Sequence, residues 1–293
     1  MASRDKLIFH SMASKFNTLS IDIDIAQTVG FDGLETSGSK IAAFLKSGFT
    51  QDDLKASLKA LEVPGIGFLI DLERQEVGRE EMLREAEDLC RLAVAIGAKG
   101  IEAITGPLDL RAFEPGSAQR YPTLYRGLID VPRDTQITLT AKNLGAVADI
   151  AAEHGLIVYL ESLSWTPLNT MDAQLRIIEA CRRDNVRLVI DFWHSYTSGD
   201  TPERIARLDK DLIYGVHVCD SLPYTGGLPN EAVLRDVPTG NGVLDLQSWV
   251  DAVKATGYRG WWSCELFCNR QHQDNSYNVA RDLKTLMERM ILD

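Results

Sequence analysis

The chain has 293 residues, 45% hydrophobic and 25% charged, the balance of an ordinary globular protein. Its 31 Lys and Arg face 42 Asp and Glu, a formal net charge of −11 with no basic run, so phosphate backbones and anionic lipids would repel it. It has no apolar stretch long enough for a membrane span, no signal-peptide-like start and five Cys without a CxxC pair, which together predict a cytoplasmic protein with reduced thiols and no membrane or nucleic-acid partner.

Short apolar runs alternate with longer segments of helical spacing from end to end. The first run, Leu7 to Met12, leads to a helix closed by Gly30 and then to a second run, Gly33 to Thr36. Thr50 with Asp53 has the spacing of a capping box and opens a helix ahead of the third run, Gly65 to Ile70. Met82, Ala86, Leu89, Cys90, Ala93 and Ile96 share one helical face, closed by Gly97 before Gly100 to Thr105. A long connection from about Gly106 to Gln136 follows, then a helix ending at Gly155 and the runs Ile157 to Glu161 and Val186 to Asp191. Thr201-Pro202 places Pro at a first helical position. Ile213 to Asp220 is the seventh run, with a second long connection, Ser221 to Leu244, behind it. Leu246, Trp249, Val250 and Val253 then share a helical face closed by Gly257, ahead of Gly260 to Phe267, and Val279, Leu283, Leu286, Met287 and Met290 form the last one.

Eight such units predict α/β architecture: a single (β/α)8 TIM barrel over residues 1–293, with long loops after strands 4 and 7 on its C-terminal face. A doubly wound sheet would usually carry a Gly-rich phosphate turn, and the chain has neither GxGxxG nor a P-loop.

A polar residue at the C-terminal end of a barrel strand is the first suspect for function. Strands 5, 6, 7 and 8 bring Glu161, Asp191, His217 and Glu265 to comparable depth, close enough to converge if all point inward. Side-chain alternation alone does not fix which face they take. Three crowded carboxylates repel unless they take up protons or share a cation, and a divalent metal is the usual resolution. Oxygen donors with one imidazole suit Mn2+, Mg2+ or Co2+, with Zn2+ also allowed. His194, three residues after Asp191, is a candidate to bond a substrate oxygen or move a proton; Asp220, three after His217, to orient that ring. Glu35 is a candidate for the far side of the pocket, Arg235 for a substrate hydroxyl or carbonyl, and Trp165 and Trp193 for the pocket wall.

These stretches resemble the xylose-isomerase-like barrel superfamily of sugar isomerases, sugar epimerases and endonuclease IV. Within it, the likeness is nearest to the inosose (2-keto-myo-inositol) isomerases. The stretches are GFDGLE at Gly30 to Glu35, LESLSWTPLNT at Leu160 to Thr170, RDNVRLVIDFWH at Arg183 to His194, HVCD at His217 to Asp220 and GYRGWWSCELF at Gly257 to Phe267. The resemblance implies one divalent metal, Mn2+ preferred, held by Glu161, Asp191, His217 and Glu265. It also implies that Glu161 and Glu265 serve as acid and base on opposite faces of the substrate. The loop after strand 7 departs from the family pattern of Arg, two residues, then Pro-Gly-x-Gly: it reads Arg235-Asp236-Val237-Pro238-Thr239-Gly240-Asn241-Gly242, one residue longer.

The function expected on these grounds is a metal-dependent isomerase or epimerase of a keto-polyol or ketose, by proton transfer through a metal-stabilised enediolate. The alternative is a lyase or dehydratase acting on a keto-sugar or keto-cyclitol. The 3-dehydroshikimate dehydratases of the superfamily use a His after strand 5, and no His lies between Glu161 and Asp191. A hydride shift would need a second metal, for which the sequence offers no ligand set, and a multi-metal nuclease needs more His than the five present. A homo-oligomer is left open.

Overall fold

The computed structural model describes residues 4–292. Eight parallel strands close in sequence order: β1 (Lys6–His10), β2 (Gly33–Ser37), β3 (Ile66–Leu69), β4 (Gly100–Ile104), β5 (Ile157–Glu161), β6 (Val186–Asp191), β7 (Ile213–His217) and β8 (Trp261–Ser263), with β8 pairing back onto β1. Helices pack outside, and their apolar faces meet the outward strand residues in one continuous core that includes Leu7, Ile66, Ile101, Val158, Leu188 and Val216. No described helix is long and apolar enough to cross a membrane.

Local signals are visible in the structure. Thr50 and Asp53 form a reciprocal capping box at the helix Gln51–Leu58. Gly30 and Gly97 take left-handed φ of 83° and 76° as C-caps, a conformation that costs other residues a Cβ clash. The connection after β4 is not a bare loop. Two short helical turns, Leu110–Phe113 and Ser117–Arg120, break it up, and the long helix Arg133–Glu153 begins earlier than the sequence reading placed it.

Inside the barrel the side-chain alternation resolves in layers. Ile8, Tyr159, Val189 and Trp261 form an apolar layer. Gly215 has no side chain there because a Cβ would lie 2.0 Å from the Trp261 ring. The next inward residues toward the C-terminal mouth are His10, Glu161, Asp191, His217 and Ser263, with Asp191 level with His217 and His217 level with Ser263. A polar layer therefore sits on an apolar one, and this order positions the site.

Two strand ends differ from the sequence reading. β7 stops at His217 and β8 at Ser263, so Asp220 and Glu265 lie beyond the ladder. The last link is Val218 N–H donating to the Ser263 carbonyl. Past it the chain turns away, and Glu265 reaches the centre from a loop.

Candidate metal centre

Glu161, Asp191, His217 and Glu265 do meet: one donor atom from each lies within 4.8 Å of all the others. His217 Nδ1 stands 3.3 Å from Glu161 Oε1 and 4.0 Å from both Asp191 Oδ2 and Glu265 Oε2. Donors about 2.0–2.2 Å from a common cation stand roughly 3–4 Å apart, so the set has the dimensions of a cation site. A second observation agrees. His217 Nδ1 and Glu161 Oε1 are buried and lack a geometrically sound hydrogen bond, although they face each other. A buried imidazole nitrogen and a buried carboxylate oxygen left without partners are what a cation between them would satisfy.

The strand-to-helix turn Asp191-Phe192-Trp193-His194 positions its carboxylate. Asp191 caps the helix Phe192–Thr197, and its Oδ1 accepts from His194 N–H at 2.7 Å. That leaves Oδ2 facing the centre, where Cys219 Sγ lies 2.9 Å away. Burial alone would raise the Asp191 pKa, but Arg235, His194 and His217 outweigh it and hold it to about 2. Glu265 is also held low against burial, chiefly by Arg235. Glu161 goes the other way: burial pushes it to about 7 despite the His217 ring.

His217 is held from behind by a residue that the sequence reading placed elsewhere. Its Nε2 lies 3.2–3.3 Å from both oxygens of Glu35. Glu35 also accepts from Tyr159 Oη at 3.0 Å and Ser263 Oγ at 2.9 Å. Burial would raise its pKa, but His217 and His10 lower it to about 2, so it is an anion. Glu35 is 1% exposed and lies beneath the centre rather than across the pocket. Asp220 does not take the orienting role. Its carboxylate accepts from the N–H groups of Ser221, Gly240, Gly242 and Leu244, and so pins the loop after β7. The one-residue expansion of that loop is folded around Asp220.

His10, Glu35 and His217 form a second group with metal-ligand geometry, which sequence reading missed. It shares His217 with the first. With Nδ1 given to a cation, a neutral His217 keeps its proton on Nε2 and donates it to Glu35, which closes the second group to a cation.

Arg235 is also not where a substrate contact was expected. It is 2% exposed, and Nη2 donates to Glu265 Oε2, the Glu265 carbonyl and Cys219 Sγ, while Nη1 donates to Glu231. Its guanidinium lies 4.1 Å from the Phe267 ring centre. It fixes the Glu265 carboxylate instead of meeting solvent. His194 is buried, and its Nδ1 accepts the Ser164 backbone N–H at 3.1 Å. Burial lowers its pKa to about 4, so the ring is neutral with its proton on Nε2, a hydrogen-bond donor. Trp165 and Trp193 pack against this ring, with the Trp165 indole N–H given to the Pro107 carbonyl.

A cavity of about 360 Å3 opens beside the centre, lined by His10, Thr36, Gly67, Phe68, Glu102 and Glu265 among others. That volume lies within the range of small-molecule pockets. Sequence reading missed His10, because it ran β1 on to Met12 and so did not see His10 as a strand end. It also missed Glu102, because that residue sits in mid-strand; a lone charge inside the apolar run Gly-Ile-Glu-Ala-Ile was the available signal.

Residues 23–289 match the xylose isomerase-like TIM barrel family. The chain belongs to that family. It is similar to the inosose isomerase of Bacillus subtilis (strain 168), 24% identical over 270 residues, 89% of each chain. It is likewise similar to the 3-dehydro-D-guloside 4-epimerase of Escherichia coli (strain K12), 24% identical over 249 residues that cover 80% of this chain and 81% of that one. Among solved structures, the IolI protein with a bound zinc atom superposes with a TM-score of 0.84 at 20% identity over 98% of both chains.

Proposed function

We infer that the protein is a divalent-metal-dependent isomerase or epimerase of a keto-polyol or ketose, with an inosose-like ring as the leading substrate. The observation that carries this reading is the convergence of Glu161, Asp191, His217 and Glu265 with His217 Nδ1 and Glu161 Oε1 unpartnered. The family's isomerase and epimerase members give it chemical direction. Glu161, Asp191, His217 and Glu265 would hold the cation, with Mn2+ preferred for a site of three carboxylates and one imidazole. A bound divalent cation supplies Lewis acidity at a carbonyl oxygen, which makes the neighbouring C–H acidic.

The chain's own groups do the rest. Glu161 comes from β5 and Glu265 from beyond β8, so the two carboxyls enter the mouth from strands three apart. A substrate lying between them presents a different face to each, and one carboxylate takes the C–H proton while the other side returns one. Burial holds the Glu161 carboxyl near pKa 7 without a cation; a bound cation would lower it and keep it a carboxylate able to accept the C–H proton. His194 donates from Nε2 to a substrate oxygen and steadies charge as it develops there. Arg235 keeps the Glu265 carboxylate aimed.

The test is a panel of keto-inositols and ketoses incubated with Mn2+-loaded protein and followed by NMR. An isomer or epimer as product supports the reading. An elimination product would move the protein to the carbon–oxygen lyases, and no turnover of any keto-polyol would overturn it.

A further inference from the structure

His10 ends β1, lines the cavity beside the metal centre and has no role in the mechanism above. It pairs in register with Glu35, so its side chain enters the barrel in the polar layer. The chain then winds into a short helical turn, Ser11–Ser14, and His10 caps it: Nδ1 accepts the Met12 N–H at 3.1 Å.

An imidazole nitrogen that accepts from a backbone N–H carries no proton. The ring is therefore neutral, with its proton on Nε2. Burial acts in the same direction, outweighing the Glu35 and Glu265 anions and lowering the pKa. The Nε2–H lies at the far end of the ring from the turn, and it makes no hydrogen bond among the described residues. Glu35 Oε2 is 3.7 Å away, beyond hydrogen-bond reach, and Glu35 already accepts from His217, Tyr159 and Ser263. The neighbouring side chains are sealed, Glu35 at 2% exposure and His217 at 0%, whereas His10 keeps 11% and borders the cavity.

The centre is rich in acceptors and short of donors. Glu161, Asp191 and Glu265 converge on one point, and the donor assigned to the substrate so far, His194, comes from the end of β6. In the closed barrel β6 lies three strands from β1. Two lysines also line the cavity. Lys40 Nζ is taken by Asp22 at 2.7 Å and by the Ser11 and Ser14 carbonyls, and Lys15 stands exposed at the mouth. A keto-polyol at the centre carries oxygens on more than one side, and on the β1 side the donor at the depth of the polar layer is His10.

We propose that His10 is a substrate-contacting residue: its Nε2–H donates to an oxygen of the bound keto-polyol from the β1 side, while His194 donates from the β6 side. This rests on the keto-polyol reading given above. A neutral donor suits the place, because it holds an oxygen without neutralising the carboxylates that move the proton.

Two substitutions separate this contact from the turn cap. Asn keeps an acceptor where Nδ1 stands, so His10→Asn can still cap the Met12 N–H but has no donor toward the cavity. Gln places an amide N–H near the Nε2 position, so His10→Gln keeps the donor and loses the cap. The experiment is equilibrium dialysis of the Mn2+-loaded proteins against 2-keto-myo-inositol, with kcat/KM, metal affinity by chelator competition and far-UV circular dichroism recorded for each. His10→Asn should weaken binding by about 3- to 10-fold, the worth of one hydrogen bond, and lower kcat/KM at least as much; His10→Gln should stay within about twofold of wild type, both at unchanged metal affinity. If His10→Asn does not fold, His10→Phe, which loses both nitrogens, takes its place. Nitrogen NMR of the Zn2+-loaded wild type with labelled histidine should find the His10 ring neutral with its proton on Nε2. A ring protonated on Nδ1, binding by His10→Asn within twofold of wild type, a loss in His10→Gln as large as in His10→Asn, or a tenfold loss of metal affinity in both overturns the inference. A wild type that does not bind the keto-inositol overturns it together with the keto-polyol reading. His10-dependent binding without isomerisation sinks the isomerase reading alone, and turnover undiminished in His10→Asn sinks the inference alone.

Discussion

Replacing Glu35 by Gln should weaken metal binding although Glu35 is not one of the four converging ligands. Glu35 accepts from His217 Nε2, Tyr159 Oη and Ser263 Oγ at 2.9–3.3 Å. Gln keeps the shape but has one acceptor oxygen and an amide NH2. Tyr159 bonds one Glu35 oxygen and Ser263 the other, so the NH2 faces a hydroxyl donor in either orientation. The His217 ring also loses the anion that fixes its proton on Nε2 and keeps Nδ1 basic. Losing a partner of this kind typically costs about 10- to 100-fold in metal affinity. The lost charge-assisted bonding should also lower metal-free stability by about 1–3 kcal/mol. The assay is Mn2+ and Zn2+ titration against a competing chelator at pH 8, with urea unfolding of the metal-free proteins. Asp220→Asn is the control: Asp220 holds the loop after β7 and not the ring, so its metal affinity should stay within about threefold of wild type. An unchanged affinity in Glu35→Gln, or a larger loss in Asp220→Asn, would refute the assignment of Glu35 as the residue that orients His217.

Asp191→Ala and His217→Ala should each purify with little metal, and chelating the wild type should abolish turnover while far-UV circular dichroism stays barrel-like, since the apolar layer lies below the centre. Near-stoichiometric metal in either variant, or global unfolding on chelation, would count against the four-ligand set. Glu161→Gln and Glu265→Gln should retain some metal yet lose about 10²- to 10⁴-fold in turnover, the usual cost of a missing general base. Normal rates in both would pass the acid and base roles to other groups. Metal affinity should depend on pH. The Glu161 carboxyl is raised to about 7 by burial, and Glu35, Glu161 and Glu265 hold the His217 ring well above the ordinary imidazole range despite its burial, so each must release a proton to ligate; affinity should therefore fall at least tenfold per unit below pH 7. A flat affinity between pH 7.5 and 5.5, by the same chelator competition, would contradict this.

The barrel was legible because each of its parts is written locally. Continuous apolar runs mark strands covered on both faces, and helix faces carry the 3.6-residue period. The strand-end rule also brought out Glu161, Asp191, His217 and Glu265, although Glu265 reaches the centre from a loop. What the sequence could not show was which partner a side chain chooses across the barrel. Asp220 stands three residues from His217, yet it turns to the backbone N–H groups of its own loop; Glu35, 182 residues away, holds the ring. Arg235 read as a loop cation, and only the packed structure buries it behind Glu265 and Phe267. Glu102 lies against Gly67 of β3, where a Cβ would stand 3.0 Å from its Oε2, a relation between strands that no local pattern records.

The most direct test of the central claim is to incubate Mn2+-loaded protein with 2-keto-myo-inositol in D2O and follow substrate and product by NMR. Proton transfer by carboxylates that exchange with solvent predicts deuterium at the carbon next to the carbonyl, present with metal and lost on chelation. Product formed with no solvent deuterium in either species, or at an undiminished rate after the metal is stripped, would contradict it.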